Sequence, residues 1–357
     1  MTFDLASLGW DDAFAAAYTP WSRPDHRPAR VARMDRGICT LLAADGTARA
    51  GLGGALLARA GRDALALPCV GDWVAVRAWP DQRTTVEAVL PRRTQIVRAA
   101  AGRESRGQVL AANLDFAAVV EPMHPAPDPG RIERLLALAW ASGAQPLIVL
   151  TKVDLLDRAD RVAAQIGDVA PGVPLILVSA RRGTGLDRLR PLITPGRTLG
   201  LLGPSGAGKS TLVNALAGAT VMVTQAIRRA DGRGRHTTSY RALVPMPGGG
   251  AVLDTPGLRG VGLHDGADGL DQVFADIDEL AADCRFADCG HDAEPDCAVR
   301  TALATGELSV RRLDSWRRLR RELDRSARRR TARLAAQARA EIRQRYEHRR
   351  SAGRHRP

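Results

Sequence analysis

Residues 203–210 read G-P-S-G-A-G-K-S, a G-x-x-x-x-G-K-S loop. An apolar run precedes it at 199–202 and a helical pattern follows at 211–217. That strand–loop–helix setting is where such a loop wraps phosphates. Its glycines let backbone N–H groups turn inward, and the helix N-terminus adds partial positive charge. Gly203, Pro204, Ser205, Gly206, Ala207 and Gly208 would form the cradle, with Thr211 in the helix behind it. Lys209 would reach the β/γ-phosphates, and the Ser210 hydroxyl would bind Mg²⁺.

A second set of residues has the chemistry to read a base. Thr151-Lys152-Val153-Asp154 follows the apolar run 147–150. The Asp154 carboxylate can accept from guanine N1–H and N2–H while the Lys152 stem covers the ring; adenine offers the opposite donor pattern. The run PLILVSA ends in Ser179 and Ala180, where a backbone N–H can meet guanine O6. AVLDTPG, 251–257, supplies D-x-x-G: Asp254 would hold Mg²⁺ through water, and Gly257 would meet the γ-phosphate. Upstream, 228–240 is polar and Gly-rich, and its Thr237 or Thr238 is the candidate to close on Mg²⁺ and the γ-phosphate. The chain has 52 Lys plus Arg, yet the only lysines are Lys152 and Lys209. A compact ammonium remains only where one donor must lie along a base or thread between phosphates.

The chain order is therefore base reader, S-A, phosphate loop, switch threonine, D-x-x-G. All the parts of a GTPase are present but rotated, with the base reader first. Cutting an α/β domain at a surface loop and joining its nearby termini is physically tolerable, so a circular permutation is expected. This order, together with GRHTT, GPSGAGKST and DTPG, resembles the RsgA (YjeQ) family of circularly permuted, small-ribosomal-subunit-dependent GTPases, over roughly residues 31–322. The resemblance implies an N-terminal OB-fold, a permuted GTPase core and a C-terminal zinc domain. It also implies binding to the small subunit and its rRNA, subunit-stimulated hydrolysis of GTP to GDP and phosphate, and a late role in maturing that subunit. Leu258 follows D-T-P-G, where many GTPases place a water-orienting Gln. Leucine can neither donate nor accept, so slow intrinsic hydrolysis is expected. By the resemblance His236 could orient that water; the alternative is a loop residue or RNA contact.

Cys284, Cys289, His291 and Cys297 are spaced C-x4-C-x-H-x5-C. Three thiolates and an imidazole make a closed tetrahedral set typical of structural zinc, and the spacing matches the family pattern. Cys39 and Cys69 are expected as buried, apolar-like residues.

The elements that must position these groups read as several domains. Residues 1–30 carry three prolines and are expected to be a poorly ordered arm with a short helix at most. Short alternating runs broken by Gly and Pro at 31–100 predict a small β-barrel of the OB type, although an SH3-like barrel would read similarly. Trp73 and Trp79 are its aromatics, with core packing expected for at least one. Strand and helix patterns alternate through 101–265, an α/β P-loop GTPase domain with a parallel sheet. A zinc-binding helical domain at 266–322 and an Arg-rich tail at 323–357 complete the chain.

The net charge is +13, and from Arg311 onward there are 18 Arg against 5 acidic residues. The excess thus sits in the tail, which reads as a basic arm for an anionic polymer or as a solvated, salt-bridged helix. No apolar run reaches membrane-spanning length and no signal peptide is evident, so a soluble, cytoplasmic monomer is expected. Two other readings compete. An ABC-type ATPase needs an L-S-G-G-Q segment and an acidic residue after Asp254; the first is absent and Thr255 stands at the second position. A non-catalytic RNA-binding protein with a GTP sensor is kept open by Leu258.

Overall fold

The computed structural model describes residues 2–99, 107–222, 241–255, 262–263 and 266–353. Among them no helix is long and apolar enough to cross a membrane. Helix α1 (Asp12–Tyr18) starts on the Asp11 carboxylate, which accepts from the Ala13 and Phe14 N–H groups. The barrel follows: β1 (His26–Asp35), β2 (Ile38–Ala43), β3 (Gly46–Leu52), helix α2 (Gly54–Arg62), β4 (Trp73–Ala78) and β5 (Thr84–Val89). The strands run in the order β1-β2-β3-β5-β4, and pairing of β4 with β1 closes them into an OB-like barrel. Alternate residues fill its interior: Ala29 and Val31, Cys39 and Leu41, Val74 and Val76, then Val86. This period of two is the alternation legible in the sequence.

A hairpin, β6 (Gln95–Ala99) and β7 (Gly107–Ala112), leads into the α/β part. There the chain runs β8 (Phe116–Pro122), α3 (Pro129–Ala141), β9 (Gln145–Thr151), α4 (Ala159–Gly167), β10 (Leu175–Val178), α5 (Leu186–Leu189), β11 (Thr198–Leu202), α6 (Lys209–Ala217), β12 (Ala242–Pro245) and β13 (Ala251–Asp254). The sheet order is β10-β9-β8-β11-β13-β12, parallel except for β12. Its inner strands are buried on both faces, as parallel sheets covered by helices are. Ala118, Val120, Leu147, Val149 and Leu201 pack under Leu212 and Leu216 of α6. Their neighbours Ala117, Val119, Ile148 and Leu150 face the side of Ile132 and Leu136 of α3. Among the described residues one bridge, Arg33 to Ala242, joins the barrel to this sheet.

The C-terminal part holds β14 (Gly262–Leu263), α7 (Ala267–Val273), α8 (Ala275–Ala282), α9 (Ala298–Thr305) and α10 (Val310–Gly353). β14 pairs with β6. Helix α7 crosses α3 at Gly269, where a Cβ would come within 2.3 Å of the Ala137 carbonyl oxygen. Helix α10 continues through residues 322 and 323 without a break.

One expectation about the ends of the chain is corrected and another is refined. The N-terminal segment is ordered: Trp10 and Phe14 pack on Trp73, with ring centroids 4.9 and 5.9 Å away. The Ser7 carbonyl also accepts from the Gly196 and Gly250 N–H groups, tying the segment to the α/β part. The basic stretch from Arg311 carries the salt bridges expected of it, but its start is buried rather than solvated. Glu133 of α3, fully buried, accepts from Arg311, Arg312 and Ser315 of α10. Arg312 reaches Asp276 as well. Removing one partner of a buried ion pair leaves the other charge uncompensated. Glu133→Ala should therefore cost about 3–5 kcal/mol and free α10 to early proteolysis. Urea unfolding with limited proteolysis checks this; a change below about 1 kcal/mol would show that the pair does not hold the helix.

Candidate nucleotide site and metal centre

The phosphate loop bridges β11 and α6 at the C-terminal edge of the sheet. Gly206 and Gly208 take φ of +81° and +91°, a region that side chains avoid. A Cβ on Gly203 would lie 2.2 Å from the Val120 carbonyl oxygen, so only glycine fits between loop and β8. Lys209 is buried inside the loop and donates to the Gly203 and Pro204 carbonyls at 2.9 and 3.0 Å. Burial lowers its pKa, opposed by the nearby Asp254 carboxylate.

Asp254 ends β13, the neighbour of β11. Its Oδ2 accepts from the Ser210 hydroxyl at 3.0 Å. Its Oδ1 is buried and has no hydrogen-bond partner among the described residues, and burial raises its pKa. A buried carboxylate oxygen left unpaired beside a hydroxyl is costly on its own. It fits a hard cation, which takes such oxygen ligands.

The base-reading residues sit at the ends of β9 and β10 on the same edge. The Thr151 hydroxyl donates to the Ala207 carbonyl at 2.5 Å, joining that end of the sheet to the phosphate loop. Lys152 adopts φ +60° and its Nζ donates to the His124 carbonyl at 3.3 Å. Asp154 Oδ1 accepts from the Ser179 hydroxyl at 2.6 Å, which lowers its pKa. Ser179 is buried and its N–H bonds Thr184 O at 3.0 Å, a hairpin that presents Ala180 at the rim. Gly185 makes that turn possible, since a Cβ there would meet the Leu177 carbonyl oxygen at 2.0 Å.

Thus Thr151, Lys152, Asp154, Ser179, Ala180, the loop 203–208, Lys209, Ser210, Thr211 and Asp254 lie along one sheet edge. His236, Thr237, Thr238 and Gly257 lie outside the described residues, as does Leu258. Two supporting residues escaped the sequence reading. His124 supplies the carbonyl under Lys152, and Thr255 is buried with its hydroxyl on the Leu201 carbonyl at 2.7 Å. The Thr255 bond fastens the start of D-T-P-G to β11, a role its motif position alone does not reveal.

Cys284, Cys289, His291 and Cys297 converge with ligand atoms within 4.8 Å of one another. Sγ of Cys284 and of Cys297 lie 3.6 and 3.4 Å from His291 Nδ1, and 3.8 Å from each other. Tetrahedral bonds of about 2.3 Å to sulfur and about 2.05 Å to nitrogen imply edges of about 3.8 and 3.6 Å. The cluster could therefore hold a four-coordinate metal ion. Burial lowers the His291 pKa, favouring the neutral ring that a ligand must be. Arg317 of α10 donates to the His291 carbonyl at 2.6 Å, and the Trp316 ring lies 5.7 Å from the imidazole.

A model of the RsgA GTPase family matches residues 89–264. A Streptomyces coelicolor protein named "Small ribosomal subunit biogenesis GTPase RsgA" is 51% identical over 352 residues, covering 98% of this chain and 93% of its own length. The chain belongs to the RsgA GTPase family. An RsgA from Opitutus terrae is 44% identical over 336 residues, 91% of each chain. The crystal structure of YjeQ from Thermotoga maritima superposes with a TM-score of 0.59 at 26% identity, over 84% of this chain and 98% of that one. A second structure, YloQ, described as a circularly permuted GTPase, gives a TM-score of 0.55 and supports the fold. Within the RsgA sheet the phosphate-loop strand β11 lies between β8 and β13, so chain order is rotated while sheet neighbours are kept.

Thiol chemistry separates the metal centre from the rest. Burial pushes Cys39 up to about 12 and Cys69 also well up, so both are protected and unreactive. Native metal-loaded protein should show no maleimide-reactive thiol, chelator should release the three cluster cysteines, and only denaturant should expose all five. Intact-mass counting checks this; five reactive thiols in the chelated native protein would contradict it.

Proposed function

We propose that this protein is a GTP hydrolase that binds the small ribosomal subunit and its rRNA, assists late maturation of that subunit, and is stimulated by it. It would act in the cytoplasm as a monomer. The observation that carries the nucleotide reading is the Thr151–Ala207 bond, because it sets the base-reading strand end against the phosphate loop despite their reversed order. Asp154 accepts from guanine N1–H and N2–H while its Oδ1 is held by the Ser179 hydroxyl, Lys152 covers the ring, and Ala180, next to Ser179, presents its backbone N–H to O6. The backbone of 203–208 and Lys209 hold the phosphates, with Thr211 behind them at the helix N-terminus.

Ser210, Asp254 and Thr237 would hold Mg²⁺, and the unpaired Asp254 Oδ1 suits that site. When bound, the ion neutralises charge building on the β- and γ-phosphate oxygens. Gly257 contacts the γ-phosphate, Thr237 or Thr238 closes over it, and His236 orients the attacking water. The cysteines 284, 289 and 297 with His291 bind one structural zinc.

Anionic RNA suits the basic end of the molecule. On helix α10 Arg318, Arg320, Arg321, Arg325, Arg328 and Arg329 are exposed, while Arg311 and Arg312 pair with buried Glu133. Trp79 on the barrel lies under the Arg77 guanidinium at 3.6 Å, a stacked pair of the kind that meets RNA bases.

The test is GTP turnover with and without purified small subunits. Turnover should be slow alone, because Leu258 cannot position water, and should rise at least about tenfold with subunits. The stimulation should fall steeply with salt, since arginine–phosphate contacts release counterions. Equal turnover in the two arms would sink the subunit-dependent reading and favour a nucleotide sensor.

A further inference from the structure

Helix α10 holds more arginine than the fold uses. Leu313, Leu319 and Leu323 bury one of its faces in the core that also takes Ile132 and Leu136 of α3. Up to residue 320, four of its arginines meet carboxylates. Arg311 and Arg312 meet Glu133, Arg317 meets Asp292 at 2.8 Å, and Arg320 lies 3.8 Å from Asp271.

The pattern changes after that. Arg321, Arg325, Arg328, Arg329 and Arg339 are exposed, and among the described residues none of the five forms an ion pair. Arg321 donates only to a backbone carbonyl, that of Arg317 at 3.1 Å. Asp324 stands one turn before Arg328 and is not paired with it. At 3.6 residues per turn the five fall within about 100° of the helix circumference, on the far side from Leu319 and Leu323. They extend over about 27 Å of the axis. A solvated helix face is normally laced with acid–base pairs one turn apart, and like charges at that spacing destabilise it. This face leaves its repulsion uncompensated within the chain.

The sequence narrows the partner. Residues 324–333 read D-R-S-A-R-R-R-T-A-R, with no large apolar residue to enter lipid tails or fill a protein pocket. They hold no aromatic residue on which a base could stack. What remains is a row of guanidiniums stepping by roughly one turn, about 5.4 Å, each able to take two phosphate oxygens. The helix is also fixed at the root of this row, where Glu322 accepts from the Leu263 N–H and from Arg134.

We propose that this face binds the phosphate backbone of one RNA strand without reading its bases. The inference rests on the rRNA-binding reading above and adds which residues hold the strand and by what contacts. A helix already formed and anchored presents the row with little ordering cost.

The test is binding of the full chain to labelled oligouridine and oligoadenosine of roughly 12 nucleotides, by fluorescence anisotropy between about 50 and 300 mM KCl. One variant carries Arg321→Gln, Arg325→Gln and Arg328→Gln. A control removes the same charge elsewhere, through exposed Arg158→Gln, Arg161→Gln and Arg188→Gln. Glutamine suits exposed helix positions, so both should keep the wild-type melting temperature and GTP affinity. The α10 variant should flatten the plot of log affinity against log salt by about 2, roughly 0.7 for each lost single-strand phosphate contact. The control should change it by less than about 0.7, and the two RNAs should behave alike. Equal flattening by the two variants, with wild-type RNA binding intact, would overturn the assignment of this face while sparing the rRNA reading. Polyglutamate bound as tightly as oligouridine would overturn it in favour of an acidic protein. No RNA binding by the wild-type chain would sink both.

Discussion

The hydroxyl of Thr151 on the carbonyl of Ala207 joins two groups that the chain reads in reverse order. A parallel sheet makes that possible. Every strand of one presents its C-terminal end at the same edge, whatever the order in which strands were laid down. What the site requires is that β9, β8, β11 and β13 be neighbours, and that the loop after β11 be close enough to touch the end of β9. The glycines enforce the closeness: at Gly203 the backbone passes so near Val120 that no side chain fits. The permutation therefore changes where the chain enters and leaves the domain, and leaves the site intact.

It also decides what lies next to the site. After Asp254 the chain leads at once to β14, whose Leu263 N–H donates to Glu322 of α10 at 3.0 Å. Arg134 of α3 bonds the same Glu322 oxygen at 2.7 Å. Helix α10 further inserts Arg312 against buried Glu133, and it steadies the metal loop through Arg317 and His291. The short strand that follows D-x-x-G, the helix behind the sheet and the Cys/His cluster thus share one long helix. Hydrogen bonds through Glu322 therefore tie β14 directly to α10 and α3. In an unpermuted domain further strands would stand between them.

The sequence was most legible where function needs fixed local spacing. The phosphate loop, T-K-V-D, S-A and the Cys/His cluster each declare themselves within a few residues, because their ligand contacts come from neighbouring backbone or side chains. Barrel alternation was equally plain in Cys39 and Leu41, buried, against Ile38 and Thr40, which are not. The pairings between distant segments were not. Three prolines made the first 30 residues look loosely ordered, yet Trp10, Phe14 and Tyr18 recur at helical spacing and dock against the barrel around Trp73. That spacing was the available signal. Glu133 in an apolar helix and Arg312 in a basic one gave none, since each looks like an ordinary surface charge until the two helices meet.

Base recognition by Asp154 is the central claim of this account, because that carboxylate is the group that would choose guanine over adenine. The direct measurement is equilibrium binding of GTP and xanthosine triphosphate to Asp154→Asn. The amide can donate to the C2 carbonyl of xanthine where the carboxylate accepted from the N2–H of guanine. The account predicts GTP affinity roughly ten- to several-hundred-fold weaker, the worth of a charge-assisted bidentate contact, with xanthosine triphosphate gaining. GTP affinity unchanged by the substitution would contradict it.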